Sequence, residues 1–273
     1  MNLKSPVVAA APILELIDIH KSYRGGDGKP IHAARSVSFK VDRGETVALI
    51  GESGSGKSTL GRIALGLIKP DSGRVIFNGH SLTEISAAQL RAIRIGMQPI
   101  FQDPAASFNP RRNVRAILTQ ALLAINADDH ERRCISLLED VGLRPGREFL
   151  QRYPHELSGG QRQRLAIARA LAVDPILVVA DEPLSGADVS IRGQVMNLLV
   201  DLQEKRNLCY LMITHDISIA RAMARRVVVL KDGQVVEAGS AADVLDSPQH
   251  PYTKRLVASV PVLALPRGAV ATG

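Results

Sequence analysis

The sequence predicts an α/β fold built on a parallel sheet. Short apolar runs recur at 46–50 ("TVALI"), 176–181 ("ILVVAD") and 209–214 ("CYLMIT"). Helical patterns precede and separate the later two. Strands buried on both faces read this way, because helices cover both sides of a parallel sheet. A glycine-rich loop joins the first run to a helix, a usual strand-to-helix crossing in such folds.

The other elements follow in chain order. Residues 1–11 read as a loose extension. "VVAAAPIL" has the look of a short signal core, but "ILELIDI" at 13–19 reads as the first strand, which a cleaved leader would not supply. "ILELIDIHKSY" and "SVSFKV" carry partial two-residue alternation, and "RGE" turns into "TVALI". "GRVIFNG" at 73–79 is a strand bounded by glycines. Residues 82–94 and 111–142 read as helical, with polar turns between. "RVVVLKDGQVVEAG" at 226–239 reads as a hairpin around Asp232-Gly233. The final "PVLALPRGAVATG" predicts no element, and neither an internal repeat nor a coiled-coil heptad pattern is present.

A chain of 273 residues makes one large domain or two lobes sharing a core. Hydrophobic residues at 45% and charged residues at 22% are an ordinary globular balance. Aromatics are only 3%, with no Trp, so Leu, Ile, Val and Ala must build the core. A net charge of +7 suits nucleic acid or an anionic membrane surface, but the Arg residues are scattered and favour no particular partner. Cys134 and Cys209 lie far apart, without metal-ligand spacing. They exclude a disulfide framework and a Cys-rich cluster, and they fit a reducing cytosol. No apolar run approaches the ~20 residues that span a bilayer, so a membrane role must come through a partner.

The loop at 51–59 is Gly51, Glu52, Ser53, Gly54, Ser55, Gly56, Lys57, Ser58 and Thr59. It fits G-x-x-x-x-G-K-[ST], the Walker A motif. A strand precedes it, and a helix follows with Leu60, Ile63, Ala64 and Leu67 at helical spacing. Glycines let backbone N–H groups curl around phosphate oxygens, and the helix N-terminus adds its dipole. Lys57 would reach the β and γ phosphates, and Ser58 would hold Mg²⁺. Asp181 ends the apolar run at 176–181, where a carboxylate can support Mg²⁺. Glu182 follows and can orient and polarise an attacking water.

A second glycine-rich helix start follows about a hundred residues after the first: "LSGGQ", Leu157 to Gln161. Ser158 and Gln161 form a capping box that opens the helix "RQRLAIARALA". A capping box does not require Gly159 and Gly160, each of which costs a helix interior ~1 kcal/mol relative to Ala. Bare backbone at a helix N-terminus suits an anion. The Walker A loop already serves one nucleotide, so the second cradle is best explained by a nucleotide held on another subunit.

Walker A at 51–58, "LSGGQ" at 157–161 and "ILVVADE" at 176–182 together resemble the ATP-binding subunit of an ABC transporter. The likeness covers nearly the whole chain. It implies a P-loop NTPase (RecA-like) core, an N-terminal antiparallel β subdomain and an inserted α-helical subdomain at about 90–170. The cassette would span 12–240 and a C-terminal extension 241–273. It also implies that two cassettes pack head to tail, each ATP lying between the Walker A of one and the signature of the other. Tyr23 would stack on adenine. Gln102 in "PIFQDP" would touch Mg²⁺ or water and sense the membrane partner. His215 in "MITHD" would contact the γ-phosphate, and Asp188 would cross the dimer interface. The family usually shows S-A-L-D at that interface loop, whereas Ser185 to Asp188 read "SGAD". Gly186 and Ala187 remove side-chain bulk and loosen the backbone there, which bears on coupling across the dimer.

"SPQHPYTKRLVASVP" at 247–261 and "FQDPAASFNPR" at 101–111 are similar to the branch serving peptide, opine and nickel importers. Membership implies a second ATPase subunit, same or different, two permeases, an extracytoplasmic solute-binding protein, and a peripheral place on the cytoplasmic face of the cell membrane. Di- or oligopeptides are the expected solute, with nickel and opines as alternatives. Some members of this branch carry a tail metal cluster, but this chain lacks the cysteines. An ABC ATPase acting on nucleic acid or ribosomes is the reading from another class, and a P-loop kinase or GTPase would leave Gln102 and His215 unexplained. The long coiled coil, zinc cysteines or tandem cassettes usual in the nucleic-acid and ribosome group are missing here, so no nucleic acid is expected.

Overall fold

The computed structural model describes residues 11–26, 28–103, 107–185 and 189–259. The expected extension therefore lies almost wholly outside the described residues, as do Gly186, Ala187, Asp188 and the last fourteen positions.

Two sheets organise these residues. In the first, β2 (Pro30–Val41), β1 (Leu14–Arg24), β4 (Ser72–Phe77) and β5 (His80–Ser81) pair antiparallel in that order. The second runs β10 (Gln234–Ser240), β9 (Arg226–Lys231), β3 (Thr46–Ile50), β8 (Cys209–Thr214), β7 (Leu177–Asp181) and β6 (Met97–Ile100). All its pairings are parallel except β9 with β10. Those two form the expected hairpin, with Asp232 at φ 48° and Gly233 at φ 76°, as a tight right-twisted turn requires.

The central strands bury both faces, and their alternation divides the core. Val47, Leu49, Val179, Leu211 and Ile213 point to one side, where α1 (Lys57–Ala64) lies between the two sheets. Val178, Ala180, Tyr210 and Met212 point to the other, against α6 (Gly159–Leu171) and α7 (Val189–Arg206). The same cluster takes in α3 (Val114–Leu123) and α4 (His130–Asp140). A third cluster packs Ala48, Ile50, Val227 and Val229 against α8 (Ile217–Met223) and α9 (Ala241–Asp246). The chain is thus layered, helix covering sheet on both faces, as the apolar runs predict.

Tyr210 ties two of these layers with one polar contact. Its ring is fully buried in β8 and its Oη donates to the Leu199 carbonyl of α7 at 3.1 Å. Tyr210→Phe keeps the ring and removes that bond. It should lower the unfolding free energy by about 1 kcal/mol, read as a lower urea midpoint at unchanged slope. An unchanged midpoint would show that the bond has no net value.

Three local expectations need correction. The helix expected over 82–94 begins only at α2 (Ala87–Ile93), because Ser86 caps it in a capping box with Gln89. Residues 94–96 form a 3₁₀ turn and 97–100 form β6, the edge strand of the main sheet. The helical region expected from about 90 therefore contains a strand of the main sheet. The helical stretch expected at 111–142 divides at Asn126 and Asp129, both at positive φ, with the Asp129 carboxylate capping α4.

Candidate nucleotide site

The parallel strands β3, β7, β8 and β6 end side by side, and the expected site residues follow them. This is the carboxyl edge of an open α/β sheet, where ligands bind. The Walker A loop leaves β3 and enters α1. Gly56 caps α1 at φ +105°, and a Cβ there would stand 2.0 Å from the Ala33 carbonyl oxygen. Only glycine fits that turn.

Lys57 is buried, its Nζ donating to the Gly51 carbonyl at 2.8 Å and the Glu52 carbonyl at 2.7 Å. Burial pushes its ammonium pKa down, while Glu182, Asp181 and Glu52 push it up. Ser58 Oγ donates to Asp181 Oδ1 at 3.1 Å. Burial pushes the Asp181 carboxyl up, against that hydrogen bond, and neighbouring Glu182 pushes it the same way. Each group has lost water, so each gains from an opposite charge: an anion at Lys57, a cation at Asp181. Hydroxyl and carboxylate oxygens are the hard donors that Mg²⁺ takes, so the pair fits that ion.

Glu182 leaves the strand conformation at φ 47°, its N–H donating to the Ile213 carbonyl at 2.8 Å. Its two carboxylate oxygens have separate partners. His215 Nδ1 lies 2.9 Å from Oε1, and Gln102 Nε2 donates to Oε2 at 3.0 Å. Gln102 also reaches Ser185 Oγ at 3.4 Å. A cleft of about 770 Å³ opens here, lined by the Walker A loop, Gln102, Glu182, His215 and Tyr23. Tyr23 is 40% exposed, as a stacking platform must be.

The structure therefore brings together Tyr23, the Walker A residues, Gln102, Glu182 and His215, with Asp181 joined to them through Ser58. Asp188 lies outside the described residues. Ser158, Gly159, Gly160 and Gln161 are absent from the lining of this cleft. Their capping box is formed as expected: Ser158 Oγ accepts from Gln161 N, and Gln161 Oε1 accepts from Ser158 N. A Cβ on Gly159 would meet nothing within 4 Å. Ile31, Ala33 and Leu256 also line the cleft, and the sequence reading did not find them. No sequence motif marks them; strand register in the folded chain pairs Ile31, 58% exposed, with Tyr23.

Comparisons with known proteins agree with this geometry. Residues 34–185 match the ABC transporter family, and residues 236–272 match the oligopeptide/dipeptide transporter C-terminal region. Glutathione import ATP-binding protein GsiA of Salmonella paratyphi A is 45% identical over 265 residues, covering 94% of this chain and 42% of that protein. GsiA of Escherichia coli K12 is 48% identical over 237 residues, covering 86% and 38%. The chain thus spans about two fifths of the length of the curated relatives it matches. The dimeric structure of MJ0796, a bacterial ABC transporter cassette, superposes with a TM-score of 0.75 at 30% identity, covering 84% of this chain and 98% of that one. The cbiO1 structure from Clostridium perfringens, part of the ABC transporter complex cbiONQ, gives 0.74 at 29% identity, covering 86% and 91%. No helix among the described residues is long and apolar enough to cross a membrane. The Walker A cradle, the Asp181–Glu182 strand end and the family match converge: this chain belongs to the ABC transporter family and carries its ATPase cassette.

Proposed function

We propose that this chain hydrolyses ATP with Mg²⁺ to energise import of di- or oligopeptides through an ABC transporter. The observation that carries the reading is Glu182, a carboxylate held at both oxygens beside a phosphate-type cradle. Its relatives are named for glutathione import, and glutathione is itself a short peptide, which favours peptides over nickel or opines.

The residues divide the work. Tyr23 stacks on adenine. The N–H groups of residues 51–59 and Lys57 hold the phosphates. Ser58, Asp181 and Gln102 would hold Mg²⁺, which screens phosphate charge when bound. Glu182 orients and polarises water. Its help is worth roughly 10²–10⁴-fold, or about 3–5 kcal/mol of barrier. His215 fixes the Glu182 carboxylate and faces the γ-phosphate. The signature Ser158–Gln161 serves a nucleotide on a second cassette, with Asp188 crossing between them. Residues 12–240 form the cassette, and 241–273 the extension. Two permeases and an extracytoplasmic solute-binding protein complete the assembly, with this chain on the cytoplasmic face of the cell membrane.

Affinity capture of the tagged chain from gently solubilised native membranes tests this assembly. Two multi-span permeases and an ATPase partner are the expected catch by mass spectrometry. Ribosomal proteins or DNA-repair factors without permeases would overturn the transport reading in favour of a nucleic-acid role.

A further inference from the structure

The segment after the β9–β10 hairpin reaches back to the nucleotide cleft. Its helix α10 (Pro251–Ala258) starts at His250, whose Nδ1 accepts from the Tyr252 N–H at 3.2 Å, with Pro251 in the first turn. Glu237 of β10 accepts from the N–H groups of Gln249 and His250, at 2.8 and 3.1 Å. The helix start is therefore clamped to the sheet. Tyr252 is 3% exposed, packed in the cluster with Ile50, Val229 and Leu245. Lys231 Nζ stands 5.5 Å from its ring centroid.

From that fixed position the Tyr252 phenol oxygen accepts from the Glu52 N–H at 3.0 Å. The carbonyl of the same residue accepts from Lys57 Nζ. The entry of the phosphate loop is thus held by two side chains of different kinds. A lysine on a flexible stem can leave a carbonyl for a phosphate. A buried tyrosine cannot follow it. One helical turn beyond Tyr252, on the same face, Leu256 lines the cleft itself.

We propose that Tyr252 is a positioning residue of the nucleotide site, and that α10 forms one wall of it. The C-terminal segment then sets nucleotide affinity by holding the loop entry in its binding shape before the ligand arrives. The inference rests on the ATP reading above.

The test uses the full chain and Mg²⁺–ADP, titrated by calorimetry, beside steady-state ATP turnover. Tyr252→Phe keeps the ring in its cluster and removes the acceptor. It should weaken ADP about five- to tenfold, the worth of one net hydrogen bond. KM for ATP should rise by a similar factor at unchanged kcat, and Tm should fall only by the few degrees that one hydrogen bond is worth. Leu256→Ser, which leaves the hydrogen bond intact, should weaken ADP about threefold through lost apolar contact. A Tyr252→Phe chain with lower Tm but unaltered ADP affinity would show that the bond only fastens the helix, and would overturn the proposal. A fall in kcat at constant KM would overturn it too. If Tyr252→Phe does not fold, unchanged ADP binding by Leu256→Ser overturns the proposal and weakened binding supports it. Failure of the unaltered chain to bind ADP would instead overturn the nucleotide reading, and this inference with it.

Discussion

Glu182→Gln is expected to lower ATP turnover by roughly 10²–10⁴-fold while nucleotide binding persists. The substitution keeps the shape and removes the charge. An amide oxygen still accepts from His215 or Gln102, so the local arrangement survives. Basicity towards water does not. Binding should hold because Glu182 repels Asp181 at the metal-type pair, and that repulsion disappears. Lys57 loses one favourable neighbour but keeps Asp181 and Glu52. Phosphate release in a single turnover, with ATP affinity from calorimetry, separates the two effects. Unchanged turnover would remove Glu182 from the reaction. Lost binding with lost turnover would assign it to holding the nucleotide instead.

Gly159→Asp should cut turnover on the order of 10²-fold, the cost of one lost anion-stabilising donor set, with no loss of fold stability. The structure makes this unusual pairing of effects expected. A Cβ at 159 meets nothing within 4 Å among the described residues. A carboxylate in the first turn of α6 also suits the helix dipole, and Gly is a poor helix residue. Among the described residues no close contact requires the glycine. Under the proposed function an incoming phosphate would require it, and a carboxylate would repel that phosphate. ATP binding at the chain's own Walker A loop should be unaltered, because 159 does not line that cleft. Cassette pairing in Mg²⁺-free ATP, followed by light scattering, should fail. Full activity in this variant would mean that "LSGGQ" is only a helix cap.

Much of the site was legible because its signals are short-range. The Walker A loop, the Ser158–Gln161 capping box and the Asp232-Gly233 hairpin each fit within a few residues, and all three formed as expected. β6 was missed for a physical reason. "MQPI" is four residues long, contains Pro and Gln, and half of it is only partly buried. Such an edge strand has no apolar run to announce it. Its proline is tolerated because an edge strand leaves one side unpaired. The helix at 82–94 was over-extended because apolar spacing continues through Leu82 and Ile85, while the Ser86 cap decides the start.

By itself the sequence determined which chemistry the chain carries: a phosphate loop, a strand-end carboxylate pair and a second glycine-rich helix start. Those signals are local and survive in one dimension. Only the tertiary structure decided which of these groups meet. Gln102 and Glu182 are 80 residues apart, Ser58 and Asp181 are 123 apart, and Glu52 and Tyr252 are 200 apart. Strand order brings the first two pairs together, since β6, β7, β8 and β3 lie adjacent in the sheet but not in the chain. Burial of Tyr252 against the same sheet brings the third. Chain order does not encode sheet order, because the pairing is set by which apolar faces can be covered at once.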